Sequence, residues 1–222
     1  MRKTAEFHRI HAEGRAHQLR RRVALEAARM ISEQGIRDYR MAKRKAAQRI
    51  GITDEGHLPR NREIEDALRE HQRLFRADEQ PRAQQFRLET ARDAMRFLAR
   101  FEPRLVGPVL EGTADIHSPV TLHLFDDVPE AVAGMLTDHG VAFETRARSV
   151  RLDRSRSGEF PVLRFDAGGV AVDVTIFPRD ALRQAPLDRI DERPVQRASL
   201  AVVDAMLADE TGIGNRESGI AR

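Results

Sequence analysis

EFPVLRFDAGGVAVDVTIFP, residues 159–178, reads as two β-rich runs around a turn. Val, Phe, Ile and Thr suit a pleated, half-buried strand, and Asp166-Ala167-Gly168-Gly169 supplies residues that tolerate the positive φ of a hairpin turn. Upstream, VTLHLF (120–125) alternates apolar residues with others, and so does VAFETRARSVRL (141–152). Between these two, DDVPEAVAGMLTDHG (126–140) is helical in pattern, with Asp127 as a candidate cap and Pro129 in its first turn. RLVGPVLEG (104–112) is a shorter apolar run that ends on Gly112. The order is helix, strand, strand, helix, strand, strand, strand. Runs of strands with helices beside them predict an α+β domain, a mixed β-sheet with its helices on one side.

Residues 1–101 have a different character. They are rich in Ala, Arg, Glu, Leu and Gln, which favour helix. From Arg20 to Gln34, Val23, Ala27, Met30 and Ile31 fall on one face, and Gly35 is a stop signal. Asp38 caps a second expected helix, DYRMAKRKAAQRIG (38–51), with Ala42, Ala46 and Ile50 inward and Arg40, Lys43, Arg44 and Arg49 outward. A third runs from Asn61 to Phe75, with Ile64, Leu68 and Leu74 as core candidates. RADEQP (76–81) reads as a linker. A fourth helix, 82–101, carries Phe86, Leu88, Ala91, Met95, Leu98 and Ala99 at helical spacing, expected as core. The domain expectation is a basic helical domain over 1–80, the α/β domain over 81–210 and a disordered tail over 211–222.

Charge is unevenly spread. Residues 1–50 hold 14 Lys and Arg against 5 Asp and Glu, whereas residues 101–222 hold 14 against 20. A basic segment on an acidic remainder suits an anionic partner, and Arg40, Lys43, Arg44 and Lys45 are the candidate nucleic-acid contacts. AARMISEQG (27–35) followed by AAQRIGIT (46–53) resembles the start of a tetracycline-repressor-type DNA-binding domain, although the glycine spacing is longer and Pro59 sits where that family's recognition helix runs. That resemblance implies a nucleic-acid-binding or regulatory role. Cysteine is absent, which excludes disulfides and thiolate metal sites and fits a cytoplasmic location. The N-terminal MRKTAEFHRIHAEGR lacks the apolar stretch of a signal peptide, and no apolar run approaches the ~20 residues of a membrane helix, so no membrane association is expected.

FLARFEPRLVGPVLEGTADIHSPVTLHLF (97–125) carries a second resemblance, one that extends over about residues 84–178. It is similar to the start of the minimal nucleotidyltransferase domain of the DNA polymerase β superfamily: a helix, a strand ending in Gly-Ser, a Gly-Thr turn, then a strand bearing Asp-x-Asp after Ser. Gly107-Pro108 stands at the Gly-Ser position, Gly112-Thr113 at the turn, and Ser118 before the first Asp position. The Asp-x-Asp positions are Pro119 and Thr121, and Asp173 on VAVDVTIF matches the third carboxylate. In the family these carboxylates hold two Mg²⁺ ions that activate the attacking hydroxyl and neutralise the triphosphate. Pro119 offers no ligand and Thr121 only a neutral hydroxyl, so Mg²⁺ is the expected cofactor only if activity persists.

Other residues could substitute. A His123–Asp173 pair suits one softer divalent ion, against the plainer reading of His123 as a hydrogen-bonded strand residue. Asp173, inside an apolar strand, needs a partner, and Arg164 across the hairpin is placed to supply one. Backbone amides around Gly107, Gly112 and Thr113, with the Thr113 and Ser118 hydroxyls, remain suited to phosphate oxygens. The resemblance therefore implies a nucleotidyltransferase-like protein that binds a nucleotide or phosphate-bearing ligand through Gly107, Gly112, Thr113, Ser118 and Thr121, with transfer weak or lost. An active metal-dependent transferase with unconventional ligands is the alternative within that class. A protein partner is a further possibility, because minimal nucleotidyltransferase domains occur in toxin–antitoxin-like pairs. In the tail, Ser199 can cap a last helix with Leu200, Val203, Met206 and Leu207 on its apolar face, and Asp188, Asp191 and Glu192 read as ion-pairing loop residues with Arg189 and Arg193.

Overall fold

The structure, a computed structural model, describes residues 2–217 apart from 37, 53, 55, 57, 76–78, 154–155 and 189–192. The chain divides into two units, Met1–Ala77 and Asp78–Arg222.

Among the described residues the first unit contains three α-helices: α1 (Arg2–Gln34), α2 (Tyr39–Ile50) and α3 (Asn61–Phe75). α1 begins well before Arg20, where the sequence pattern first becomes periodic. The Asp38 side chain accepts hydrogen bonds from the Arg40 and Met41 amides, and Gly51 closes α2 in the left-handed conformation with φ +78°. α3 opens with half of a capping box, the Arg60 amide donating to Glu63 Oε2 at 2.7 Å. The core between the helices is dominated by alanine: Ala24, Ala27, Ala28, Ala42, Ala46, Ala47 and Ala67 are buried with Val23, Met30, Ile64 and Leu68. Small side chains let helix axes approach closely. Leu74, expected inside, is exposed.

The second unit is α+β. α4 (Glu79–Phe97) and a 3₁₀ turn at Ala99–Phe101 lead into β1 (Arg104–Val106) and β2 (Val120–Phe125). Then come α5 (Glu130–Asp138), β3 (Phe143–Arg151), β4 (Ser157–Ala167), β5 (Val170–Phe177), a 3₁₀ turn at Arg179–Leu182, and α6 (Leu200–Glu217). α4 thus starts inside the segment read as a linker, and 76–78 lie outside the described residues. α6 continues to Glu217 through most of the stretch expected to be disordered, and 218–222 lie outside the described residues. Asp191, Glu192 and Arg189 of the expected ion-pairing loop also lie outside them.

The five strands form one mixed sheet in the order β1-β2-β5-β4-β3. β2 and β5 are parallel; the other neighbours are antiparallel. Gly168 and Gly169, with φ of +65° and +85°, make the β4–β5 turn, and Asp166 Oδ1 accepts the Gly169 amide. Alternation sends Val120, Leu122, Leu124, Val172, Val174 and Ile176 to one face. There they form a core with Leu88, Met95 and Leu98 of α4, Val132 and Leu136 of α5, and Val203 of α6. The helices therefore cover one side of the sheet. The other face presents Thr121, His123, Asp173 and Thr175 from the two central strands.

Two expectations on α4 and α5 change. Phe86 and Ala99 are exposed, and the buried positions beside Leu88, Ala91, Met95 and Leu98 include Gln84 and Arg87. Asp127 does not cap α5; its Oδ1 accepts the Arg179 amide at 3.0 Å, and Asp126 Oδ1 accepts the Val128 amide.

Candidate functional site

The loop 107–118 joins β1 to β2 at one end of the sheet. Gly107 follows Val106, and Val106 is paired with Thr121. Both Gly107 and Gly112 adopt φ +71°, the left-handed region that disfavours a Cβ. The loop is held from α4 by three polar side chains at positions i, i+4 and i+7. Gln80 Nε2 donates to the Gly112 carbonyl at 2.9 Å. Gln84 Nε2 donates to the Val109 carbonyl at 2.6 Å, and its Oε1 accepts the Ala114 amide at 3.2 Å. Arg87 Nε donates to the Ser118 carbonyl at 2.7 Å, with its other nitrogens on the Ile116 and Ala83 carbonyls. The apolar spacing along α4 does not reveal this clamp, because the clamping residues lie on the adjoining face. A polar stripe at helical spacing, on the face adjoining the apolar one, is the signal that could have found it.

The loop also satisfies itself. The Thr113 amide donates to the Pro108 carbonyl, and Ser118 Oγ both donates to Asp115 Oδ1 and accepts the Asp115 amide. A phosphate seated there would have to displace these bonds.

Thr121 and Asp173 are register partners on the parallel strands β2 and β5. Asp173 is 8% exposed. Its carboxylate faces two guanidiniums, Arg164 Nε at 3.5 Å from Oδ1 and Arg148 Nη2 at 4.0 Å from Oδ2. Arg164 is its register partner on β4, as the hairpin reading required. His123 stands one same-face pair further along, opposite Thr175. Arg197, from the segment before α6, donates from Nε to His123 Nδ1 at 3.2 Å, which leaves the neutral ring's proton on Nε2. Burial, reinforced by the charges of Arg197 and Arg148, pushes the His123 pKa down to about 3. Arg197 lies over the rings of Phe125 and Phe177, and burial pulls its own pKa down to about 10, with Arg104 adding to the effect.

A divalent metal does not fit this arrangement. Among the described residues no three Asp, Glu or His side chains are grouped to hold one. Asp173 is already neutralised by arginine, and His123 offers Nδ1 to a guanidinium in a cationic neighbourhood. The same neighbourhood suits an anion.

On the first unit, Arg40, Arg44 and Lys45 are exposed on α2 and line a groove of about 680 Å³ with Met41, Ile52 and Leu58. Lys43 departs from the set. Its Nζ donates to the Pro59 carbonyl at 2.9 Å, and partial burial lowers its pKa. Among the described residues no helix is long and apolar enough to cross a membrane. No family model matches this sequence, and no curated protein matches it.

Proposed function

We propose that the second unit binds a nucleotide or another phosphate-bearing ligand on the open face of its sheet, without a metal ion and with transfer activity weak or lost. The observation that carries this reading is the pairing of Asp173 with Arg164 and Arg148 beside Thr121. The guanidiniums occupy the surroundings in which a transferase of the resembled class would keep its cations. Arginine forks match phosphate oxygens in geometry and charge. Thr121 adds a hydroxyl, and the Gly107–Ser118 loop, held by α4, borders the same end of the sheet.

The test is nucleotide binding to the intact chain and to Asp173→Ala, each with Mg²⁺, with Mn²⁺ and with chelator. Binding indifferent to metal, and retained in the variant, is expected. Binding that needs metal and disappears with Asp173 would instead establish a metal-dependent transferase with unconventional ligands. No binding under any condition sinks both.

A second reading rests on the groove beside α2. Exposed Arg40, Arg44 and Lys45 form a short basic face suited to phosphate backbone. Three such contacts would give log K against log salt a slope of about −2.7 on duplex DNA. Replacing all three with Gln should abolish that slope; a slope that survives would exclude this face.

A further inference from the structure

One edge of the sheet is closed and the other is open. At β1, Leu105 and Ala198 exchange both backbone hydrogen bonds at 2.9 Å, so the outer side of that short strand is already paired. β3 is the other outermost strand. It pairs with β4 without a bulge from Phe143 to Arg151, and it contains no proline and no lysine. The end of β3 shows which of its peptide groups point outward. The Arg151 carbonyl accepts the Leu187 amide at 2.8 Å, while the Leu152 amide donates to the Arg156 carbonyl on the β4 side. A trans peptide aims its carbonyl and its amide in opposite directions, so the Arg151 carbonyl points away from β4. Peptide direction alternates along a strand, so Phe143, Thr145, Ala147 and Ser149 face outward with Arg151. Pro161 agrees with this parity: it stands opposite Ala147, where the ladder with β3 asks no amide of it.

Along the first half of β3 the outward groups stand open. Among the described residues, the outward amides and carbonyls of Phe143, Thr145 and Ala147 meet no strand or loop. The side chains of Thr145 and Ala147 are exposed as well. Such an edge is a template for another strand, and sheets ordinarily guard it with proline, bulges or charges that repel. Here the charges alternate in sign. Glu144, the register partner of Arg164, and Arg146 stand on the open face of the sheet. They touch each other at 2.6 Å, yet their side chains remain 67% and 60% exposed, which leaves each able to take a second partner.

We propose that the chain forms a symmetric dimer in which β3 pairs antiparallel with β3 of a second copy, Thr145 facing Thr145 across the two-fold axis. Only outward residues exchange hydrogen bonds, so the register can move only in steps of two. In this register Phe143 meets Ala147 of the second copy, and Glu144 of each copy stands opposite Arg146 of the other, a closely spaced pair of opposite charges on either side of the axis. One step in either direction sets Glu144 against Glu144 or Arg146 against Arg146. The charges therefore select the register centred on Thr145. The pairing uses Phe143 to Ala147 and leaves the Arg151 end to Leu187. A two-fold contact of this kind is closed, and the opposite edge of the sheet is taken at Leu105, so association stops at two copies. The axis runs perpendicular to the sheet, which puts both open faces on the same side. The inference does not depend on what that face binds.

The test is sedimentation equilibrium of the full chain at concentrations up to about 1 mM, high enough to resolve a weak contact of this size. A reversible monomer–dimer equilibrium is expected, with no larger species. Thr145→Pro removes the central outward amide, and Glu144→Arg and Arg146→Glu each set like charges face to face. Each should weaken the dimer about tenfold while the thermal transition stays cooperative. The decisive arm mixes the two charge variants. In the mixed pair every facing charge is again opposite, so Glu144→Arg and Arg146→Glu chains should regain a dimer that contains one of each, read by native mass spectrometry. If Thr145→Pro does not fold, the two charge variants decide, since both positions are exposed. A chain that stays monomeric throughout, growth beyond a dimer, a dimer that no variant weakens, or charge variants that do not recover on mixing would overturn the proposal.

Discussion

Asp173 illustrates how one residue's neighbours set its chemistry. A carboxylate within a strand of Val, Ile and Phe has to be compensated, and here two guanidiniums do it. Removing it strands those charges on a partly buried face. Asp173→Ala is expected to lower unfolding free energy by about 1–3 kcal/mol, measured by urea denaturation, and Asp173→Asn by less. His123 gives a prediction in pH. Its folded pKa, about 3, lies below the 6.5 of an unperturbed ring. The unfolded chain therefore takes up this proton first as pH falls. The contribution of His123 to stability is complete above pH ~6.5 and declines toward pH ~3 at ~1.4 kcal/mol per pH unit. His123→Gln, which keeps an acceptor for Arg197, should shrink the difference in urea midpoint between pH 7 and pH 5 relative to the parent chain. An undiminished difference would place the acid sensitivity in the carboxylates instead.

At the scale of elements, α4 does two tasks on adjoining faces. Leu88, Met95 and Leu98 bury against the sheet, while Gln80, Gln84 and Arg87 hold the 107–118 loop. Gln84 is the most enclosed of the two glutamines and serves both a carbonyl and an amide. Gln84→Leu should cost about 1–3 kcal/mol and speed hydrogen exchange at the Ala114 amide, with β5 amides unaffected. Equal acceleration in β5 would mean the clamp stabilises the whole unit rather than the loop. The helix and strand signals that were local were readable in advance: Asp38 and Gly51 at the ends of α2, Asn61–Phe75, VTLHLF, and the hairpin around Gly168-Gly169. The facing of α4, the starts of α1 and α4, the end of α6 and the role of Asp127 differ from the local pattern. Phe86 fits an apolar template by spacing, but spacing alone cannot say which of two adjoining faces meets the sheet and which meets a polar loop.

At the scale of the molecule, two cores are built from different materials. The first unit is an alanine-lined helical core, the second a Val, Leu and Phe core between one sheet face and three helices. Each buries its own apolar set, so they should fail separately. Ala46→Asp places an unpaired carboxylate where exposure is zero, and is expected to melt helical signal of the first unit while β5 amides keep their exchange protection. Loss of protection in both would show that the two unfold as one.

Composition and local pattern were enough for the α+β class and the order of elements, because strand alternation, helix caps and turn glycines act within a few residues. The neighbours of Asp173 and His123 were a different matter. Arg164 could be inferred, since a hairpin register is set by its turn. Arg148 and Arg197 could not, because they reach the site from a third strand and from a segment 74 residues beyond His123. Only the parallel β2–β5 pairing and the closing of the sheet bring those charges together around Asp173 and His123.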